Sequence, residues 1–328
     1  MYLSFSVSGS FFPGLFAIFR FEPLIDADFV MLERLLERGG AGMSEITLIG
    51  LGAMGSAIAR TLLDRGCDLT VWNRSANKAA ALAEAGASLA ASLPEAIEAS
   101  PRVLVCIHGY ATARALLDDS AITPLLAGRT LVQMSTGTPG EAREAENWID
   151  GYGGRYLDCS IMVYPPSIGT EGGQLLVAGA RETYDDCARY IGLLGGDVRY
   201  LGATIGAAAA LDMALVSRLV ARTVAIVYGI HICESEGVPL QEYAGMFPQG
   251  DRAHHLARMI ESGDFDKDIQ STVGTSLEAS SAIRALAADL GINAEFPEFI
   301  FGLYQRASAA GYLDKDSASL IEVFRGNA

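Results

Sequence analysis

The chain is short of basic residues, histidine and paired cysteine, and each shortage removes a class of function. Across 328 residues, 24 Lys and Arg face 39 Asp and Glu, a formal net charge of −15. Nucleic-acid binding draws on counterion release at a basic face, and no Lys/Arg cluster exists here, so no nucleic-acid partner is expected. Five cysteines (Cys67, Cys106, Cys159, Cys187, Cys233) lie far apart, form no CxxC pair and are odd in number. Neither a disulfide framework nor a zinc site fits them, whereas a reducing, cytoplasmic setting does. The four histidines (His108, His231, His254, His255) make no HExxH, and no metal site is expected. Tandem repeats and low-complexity tracts are also missing.

Long uninterrupted apolar runs are missing too. Residues 1–20 are apolar and aromatic, but no Lys or Arg precedes Arg20, and Pro13-Gly14 breaks a run already too short for a bilayer. Met43 stands directly ahead of a first strand, so residues 1–42 are expected to be an N-terminal extension upstream of a natural start. The stretch from Ala207 to Glu236 carries Asp212, Arg218, Arg222 and His231, which a membrane would resist. No membrane association is expected.

What is present is material for a large core: half the residues are hydrophobic and 19% are charged. At about 150 residues per domain, the length suggests two domains. The first opens on Ile46-Thr-Leu-Ile-Gly50, an apolar run suited to a buried parallel strand. It runs into Gly50-Leu51-Gly52-Ala53-Met54-Gly55 and then a helical pattern, which is GxGxxG in strand–turn–helix context. Gly50 permits the tight turn, Gly52 admits a pyrophosphate to the backbone, and Gly55 lets helix and strand approach. The free N–H groups of the helix start, at Ala53 and Met54, face the phosphates.

The second strand ends at Asn73, 23 positions after Gly50. An NAD-preferring site places a carboxylate near here for the ribose 2′-hydroxyl. Asn73, Arg74 and Ser75 stand there instead, with Lys78 a turn later, a set suited to a 2′-phosphate. NADPH is the expected cofactor. Strands at 103–107, 130–134, 155–158, 173–179 and 197–201 alternate with helices at 76–87, 94–99, 110–118, 139–149 and 182–193. This is a doubly wound α/β sheet. Cys106 and Ile107, ending the third strand, are expected at the cofactor.

From Gly206 the pattern becomes helical. One long helix, apolar on most faces, must be buried by its own domain or by a second subunit. Further helices are expected at 240–246, 251–262, 269–290, 296–310 and 316–324. The domain division is therefore 1–42, the extension; 43–204, a Rossmann domain; and 205–328, an all-α domain joined through the long helix.

The stretches ITLIGLGAMG (46–55), VWNRS (71–75), VCI (105–107), MSTGTP (134–139), YLDCSIMVYPPSIGT (156–170) and GAAAALDMALVS (206–217) are together similar to the β-hydroxyacid dehydrogenase superfamily, related to 6-phosphogluconate dehydrogenase. Within it, the chain most resembles the imine reductases. The resemblance covers about residues 44 to 325. It implies a homodimer with exchanged helical domains, a site in the cleft between one subunit's Rossmann domain and its partner's helices, and cofactor contacts at Ser135 and Thr136. Hydroxyacid enzymes carry a lysine on the long helix, but this chain has only Lys78, Lys267 and Lys315, and Asp212 stands at that place. Many imine reductases carry Asp or Tyr there. The loop Asp158-Cys-Ser-Ile-Met-Val-Tyr-Pro-Pro also departs from the DxPVSGG-like loop that grips a carboxylate.

The chemistry agrees with that choice. A ketone leaves an alkoxide that needs a proton, hence a strong donor. An iminium ion arrives protonated and needs a hydride on carbon and an anion beside the cation. A carboxylate in an apolar cleft supplies this and, with its pKa raised by desolvation, donates a proton. The expected function is NADPH-dependent reduction of cyclic imines, extending to reductive amination, with Asp212 catalytic. Tyr164 and His108 are weaker substrate candidates; His254 and His255, near Tyr243 and Phe247, are read as a solvated face. The alternatives are a β-hydroxyacid dehydrogenase-like oxidoreductase with altered acid catalysis and a non-catalytic NADP(H)-binding regulator.

Overall fold

Short apolar runs become the strands of one sheet. In the computed structural model, which describes residues 43–327, these are β1 (Ile46–Ile49), β2 (Leu69–Trp72), β3 (Ser88–Leu89), β4 (Arg102–Val105), β5 (Thr130–Gln133), β6 (Arg155–Ile161), β7 (Gln174–Ala178) and β8 (Asp197–Tyr200). The expected extension, 1–42, lies outside the described residues. The spatial order is β3-β2-β1-β4-β5-β6-β7-β8. The first six strands are parallel, in registers such as Ile46↔Leu69 and Thr47↔Val103. β7 runs antiparallel to β6, and β8 is parallel to β7. The reversal follows from the connection: a parallel neighbour needs a crossover, usually a helix, whereas only a loop with one 3-10 turn, Pro165–Ser167, joins β6 to β7.

Helices cover both faces. They are α1 (Ala53–Asp64), α2 (Ala80–Glu84), α3 (Leu93–Glu98), α4 (Tyr110–Leu117), α5 (Pro139–Asp150) and α6 (Arg181–Gly192). Strand alternation sorts the core into two layers. Leu48, Leu104, Val132, Leu157 and Cys159 pack with Ile58 and Leu62 of α1, while Ile49, Val103, Val105 and Leu131 pack with Leu117 and Ala142. The expected single helix over 76–87 is instead a 3-10 turn, Ala76–Lys78, followed by α2. The Lys78 amide donates to the Ser75 carbonyl, which tightens the chain there before a regular helix begins.

After Gly206, whose φ of +91° turns the chain, α7 (Ala207–Ser235) runs unbroken for 29 residues. By length and composition it could cross a membrane. Its first turns, at Ala208 and Ala209, sit against the sheet. Its later turns, through Val220, Val227 and Ile230, enter a helical core with Leu256, Ile260, Tyr304 and Leu320. The remaining helices are α8 (Leu240–Gly245), α9 (Arg252–Ser262), α10 (Val273–Leu290), α11 (Glu295–Ala307) and α12 (Ile321–Phe324). α10 starts later than expected because the Thr272 side chain accepts from the Thr275 amide and caps it there.

His255 corrects the reading of a solvated histidine face. It is buried, with Nε2 3.1 Å from Asp316 Oδ2. Burial alone would raise the Asp316 pKa, but hydrogen bonds from His255 and from the Ala318 and Gln270 amides prevail and lower it. That carboxylate joins α9 to the turn before α12. His254 reaches the Phe247 carbonyl at 3.3 Å.

Candidate active site

The carboxyl ends of β1, β2, β4 and β5 bring most of the expected cofactor residues to one edge. Gly50 has φ +97°, and a Cβ there would lie 2.3 Å from the Cys106 carbonyl oxygen. A Cβ on Gly55 would lie 1.9 Å from the Gly50 carbonyl oxygen, so helix and strand meet backbone to backbone. Gly52 is different: nothing lies within 4 Å of a Cβ placed there, and the residue is exposed. It is an open approach to backbone amides at a helix start with no acidic residue in its first turn.

The Asn73 side chain organises the neighbouring loop. Its Oδ1 accepts from the Leu51 amide at 2.9 Å, and its Nδ2 donates to the Ser75 carbonyl at 3.0 Å. The glycine turn and the Arg74-Ser75 loop are thereby held as one surface. Arg74, Ser75 and Lys78 are exposed on it, while Leu51 is buried and Met54 half-buried. Ser135 is buried and donates to the Ile107 carbonyl at 2.6 Å, and Thr136 beside it is exposed. The half-buried Cys106 thiol is pushed up to about 11 by burial, so it is no thiolate nucleophile. A dinucleotide phosphate fits this edge, and the exposed guanidinium, ammonium and hydroxyl fit a 2′-phosphate.

Asp212 lies in the second turn of α7 and is 6% exposed. Burial, then the nearby Asp158 charge, pushes its carboxyl up to about 6, opposed by a hydrogen bond with Ser160. No basic side chain pairs with Asp212 among the described residues. Asp158 is also buried: the Tyr110 hydroxyl donates to its Oδ1 at 2.7 Å and the Ala209 amide donates to its Oδ2 at 3.2 Å. Burial raises its pKa as well, against those two bonds and a third from the Gly206 amide. Behind Tyr110 a cavity of about 170 Å³ lies between α4 and α5; Asp212 does not line it.

The weaker substrate candidates are open to solvent. The His108 side chain is 89% exposed, 4.0 Å from Glu278 of α10, and Tyr164 is 67% exposed. Tyr110, Asp158 and Ser160 were not among the expected site residues. The signal for two of them was present: Tyr156, Asp158 and Ser160 alternate with Leu157, Cys159 and Ile161, a polar face on a central strand. Tyr110 carries no such signal.

Residues 45–202 match the family model described as the NAD binding domain of 6-phosphogluconate dehydrogenase, and residues 204–326 match the C-terminal domain described as NADPH-dependent reductive aminase-like. An NADPH-dependent reductive aminase from Aspergillus oryzae is 28% identical, over 85% of this chain and 97% of that protein. The reductive aminase from Aspergillus terreus, solved with NADPH and ethyl levulinate, is 34% identical over 87% of this chain and all of that one, with a TM-score of 0.58. The imine reductase from Myxococcus stipitatus, solved with NADP⁺, is 29% identical over 85% of this chain and 99% of that one, with a TM-score of 0.60.

Proposed function

The chain belongs to the family of imine reductases and reductive aminases, and on that premise we propose that it reduces C=N bonds of imines or iminium ions to amines at the expense of NADPH. Cyclic imines are the proposed substrates, with reductive amination of a carbonyl and an amine as an extension. NADPH, when bound, supplies the hydride. The glycine turn, Asn73, Arg74, Ser75 and Lys78 would hold its phosphates, with Ile107, Ser135 and Thr136 toward its other end. The observation that carries the reading is Asp212: a buried carboxyl, without a basic partner among the described residues, on the helix between the α/β part and the helical part.

Such a group serves either protonation state of the substrate. With a neutral imine, protonated Asp212 gives its proton to nitrogen as the carbon is reduced. With an iminium ion, ionised Asp212 faces the cation in a site of low polarity. In both cases one proton is shared between carboxyl and nitrogen.

The active assembly is proposed to be a homodimer with exchanged helical domains, in a reducing, cytoplasmic compartment and without nucleic-acid or membrane partners. Residues 43–204 would carry the cofactor and 205–328 the dimer and substrate surfaces. What supports a dimer is the α7 stripe Leu211, Leu215 and Leu219, respectively 37%, 38% and 44% exposed, with Phe296 and Phe299 of α11 also exposed. Consumption of NADPH with 1-pyrroline or 1-piperideine derivatives tests the function. Oxidation of 3-hydroxy acids with NADP⁺ and no imine turnover would replace it by the hydroxyacid reading; neither activity, with NADPH bound, would favour a regulator.

A further inference from the structure

Asp158 sits where β6, α4 and the first turn of α7 meet. Tyr110 Oη donates to one of its oxygens and the Ala209 amide to the other. Two positions along the strand, on the same face, Ser160 bonds Asp212. Residues 158 and 160 of β6 are therefore matched to residues 209 and 212 of α7, one helical turn apart. Leu157, Cys159, Val177 and Leu175 make the other face of the same strands apolar, so the polar face is confined to this contact.

Neutralising charge is scarce around the pair. β7 offers no titratable side chain, and on α10 Glu278 and Arg284 face His108 and Glu298. On α7 the Arg222 guanidinium is engaged by Asp251. From α5, a Cβ on Gly206 would lie 3.1 Å from the Arg143 guanidinium, which places Arg143 at the turn before the helix. The other ionisable groups at the cluster are the Tyr110 and Tyr156 hydroxyls, Glu146 of α5 beside Tyr156, and the Cys159 thiol next to Asp158 on the strand.

We infer that Asp158 is a positioning residue of this active site: pinned by Tyr110 and the start of α7, its carboxylate is a fixed negative charge that retains the working proton on Asp212 and the substrate nitrogen. The inference rests on the imine-reduction reading for its link to turnover. Its electrostatic half concerns this chain's own carboxyls. Burial raises the Asp158 pKa, and the Tyr110 hydroxyl with the Ala209 and Gly206 amides works against that rise by stabilising the ionised form. A like charge beside Asp212 then raises the proton affinity of everything in the cleft.

Asp158→Asn removes the charge while keeping one oxygen for the Ala209 amide, and its side-chain NH2 can donate to the Tyr110 oxygen once that hydroxyl turns away. Carbon NMR of labelled aspartate in the cofactor-free protein, with Asp212 identified through Asp212→Asn, should show the Asp212 midpoint falling by about one pH unit, tenfold in proton affinity. In the unaltered chain the Asp158 resonance should carry an inflection from Asp212 near pH 6 as well as its own, as coupled sites do. With a cyclic imine, both limbs of the kcat–pH profile should move to lower pH, with NADPH affinity unchanged. An unshifted Asp212 midpoint in folded Asp158→Asn overturns the inference. Should that variant not fold, independent single-step titrations of the two carboxyls in the unaltered chain overturn it. An enzyme that turns over no imine yet shows the coupled titration leaves the electrostatic pair standing and removes the imine-reduction reading instead.

Discussion

Asp212 holds its carboxyl near 6 where an exposed aspartate sits at 3.8, and the folded chain bears a cost for it. The unfolded state ionises first as pH rises, so the stability tied to this group is complete below about pH 4 and lost through about pH 6. A carboxyl held roughly two pH units above its ordinary value corresponds to about 3 kcal/mol. Asp212→Asn keeps the shape and an acceptor for Ser160 while removing the titration. Its unfolding free energy relative to the unaltered chain should rise by roughly 2–3 kcal/mol between about pH 4 and pH 7.5. Denaturant titrations at both pH values check this, and a constant difference would place the strain elsewhere. The same variant should lose imine turnover by about 10²-fold, the low end for an acid–base group, while binding NADPH as before; steady-state kinetics beside fluorescence titration separates the two. Arg74 gives the second residue-scale expectation. Arg74→Ala should weaken NADPH by about 1.5–3 kcal/mol through loss of a charge-assisted phosphate contact, leave NADH nearly unchanged, and so narrow the preference measured by paired titrations.

At the scale of elements, the β1–α1 junction depends on a backbone contact that no side chain allows. A methyl on Gly55 would meet the Gly50 carbonyl oxygen at 1.9 Å, with backbone on both sides and no rotamer to relieve it. Gly55→Ala should therefore cost about 1–3 kcal/mol in stability, as overpacking does, and abolish NADPH binding because the turn must open. Melting curves and cofactor titration report the two effects. Gly52→Ala meets nothing within 4 Å in the protein itself. It should fold normally and lose only cofactor affinity. Equal losses of stability in the two variants would contradict the separate roles assigned to these glycines.

For the whole molecule, the expectation concerns the number of chains. The leucines at 211, 215 and 219 recur every four positions, forming one stripe along α7 that stays partly exposed in a single chain. Obligate interfaces of intertwined subunits bury more than about 2,000 Å², and such chains have no stable folded monomer. Light scattering should find a dimer at micromolar concentration. Leu215→Asp, which puts a charge in the middle of the stripe, should shift the mass toward the monomer and reduce turnover together with it. A fully active monomer would overturn both the dimer and the shared cleft.

The Rossmann half is legible in the chain because its constraints are short-range. Gly50, Gly52 and Gly55 answer to sterics within one turn, the apolar strands to a period of two, and α7 to a long run without proline. The same locality explains where periodicity misleads. The segment 76–87 is split into the 3-10 turn Ala76–Lys78 and a short helix, and His255 reads as solvated because its partner Asp316 is distant in sequence. The reversal of β7 follows from a loop whose path no periodicity records. Asp212 can be named from the resemblance of its helix to that of the imine reductases, but its surroundings cannot. Tyr110, Asp158, Ser160 and Ala209 come from α4, β6 and α7, and they converge only because one face of a strand packs against the first turns of one helix. Sequence periodicity specifies which side chains share a face; which faces meet, and hence which buried charges feel each other, is decided by tertiary packing.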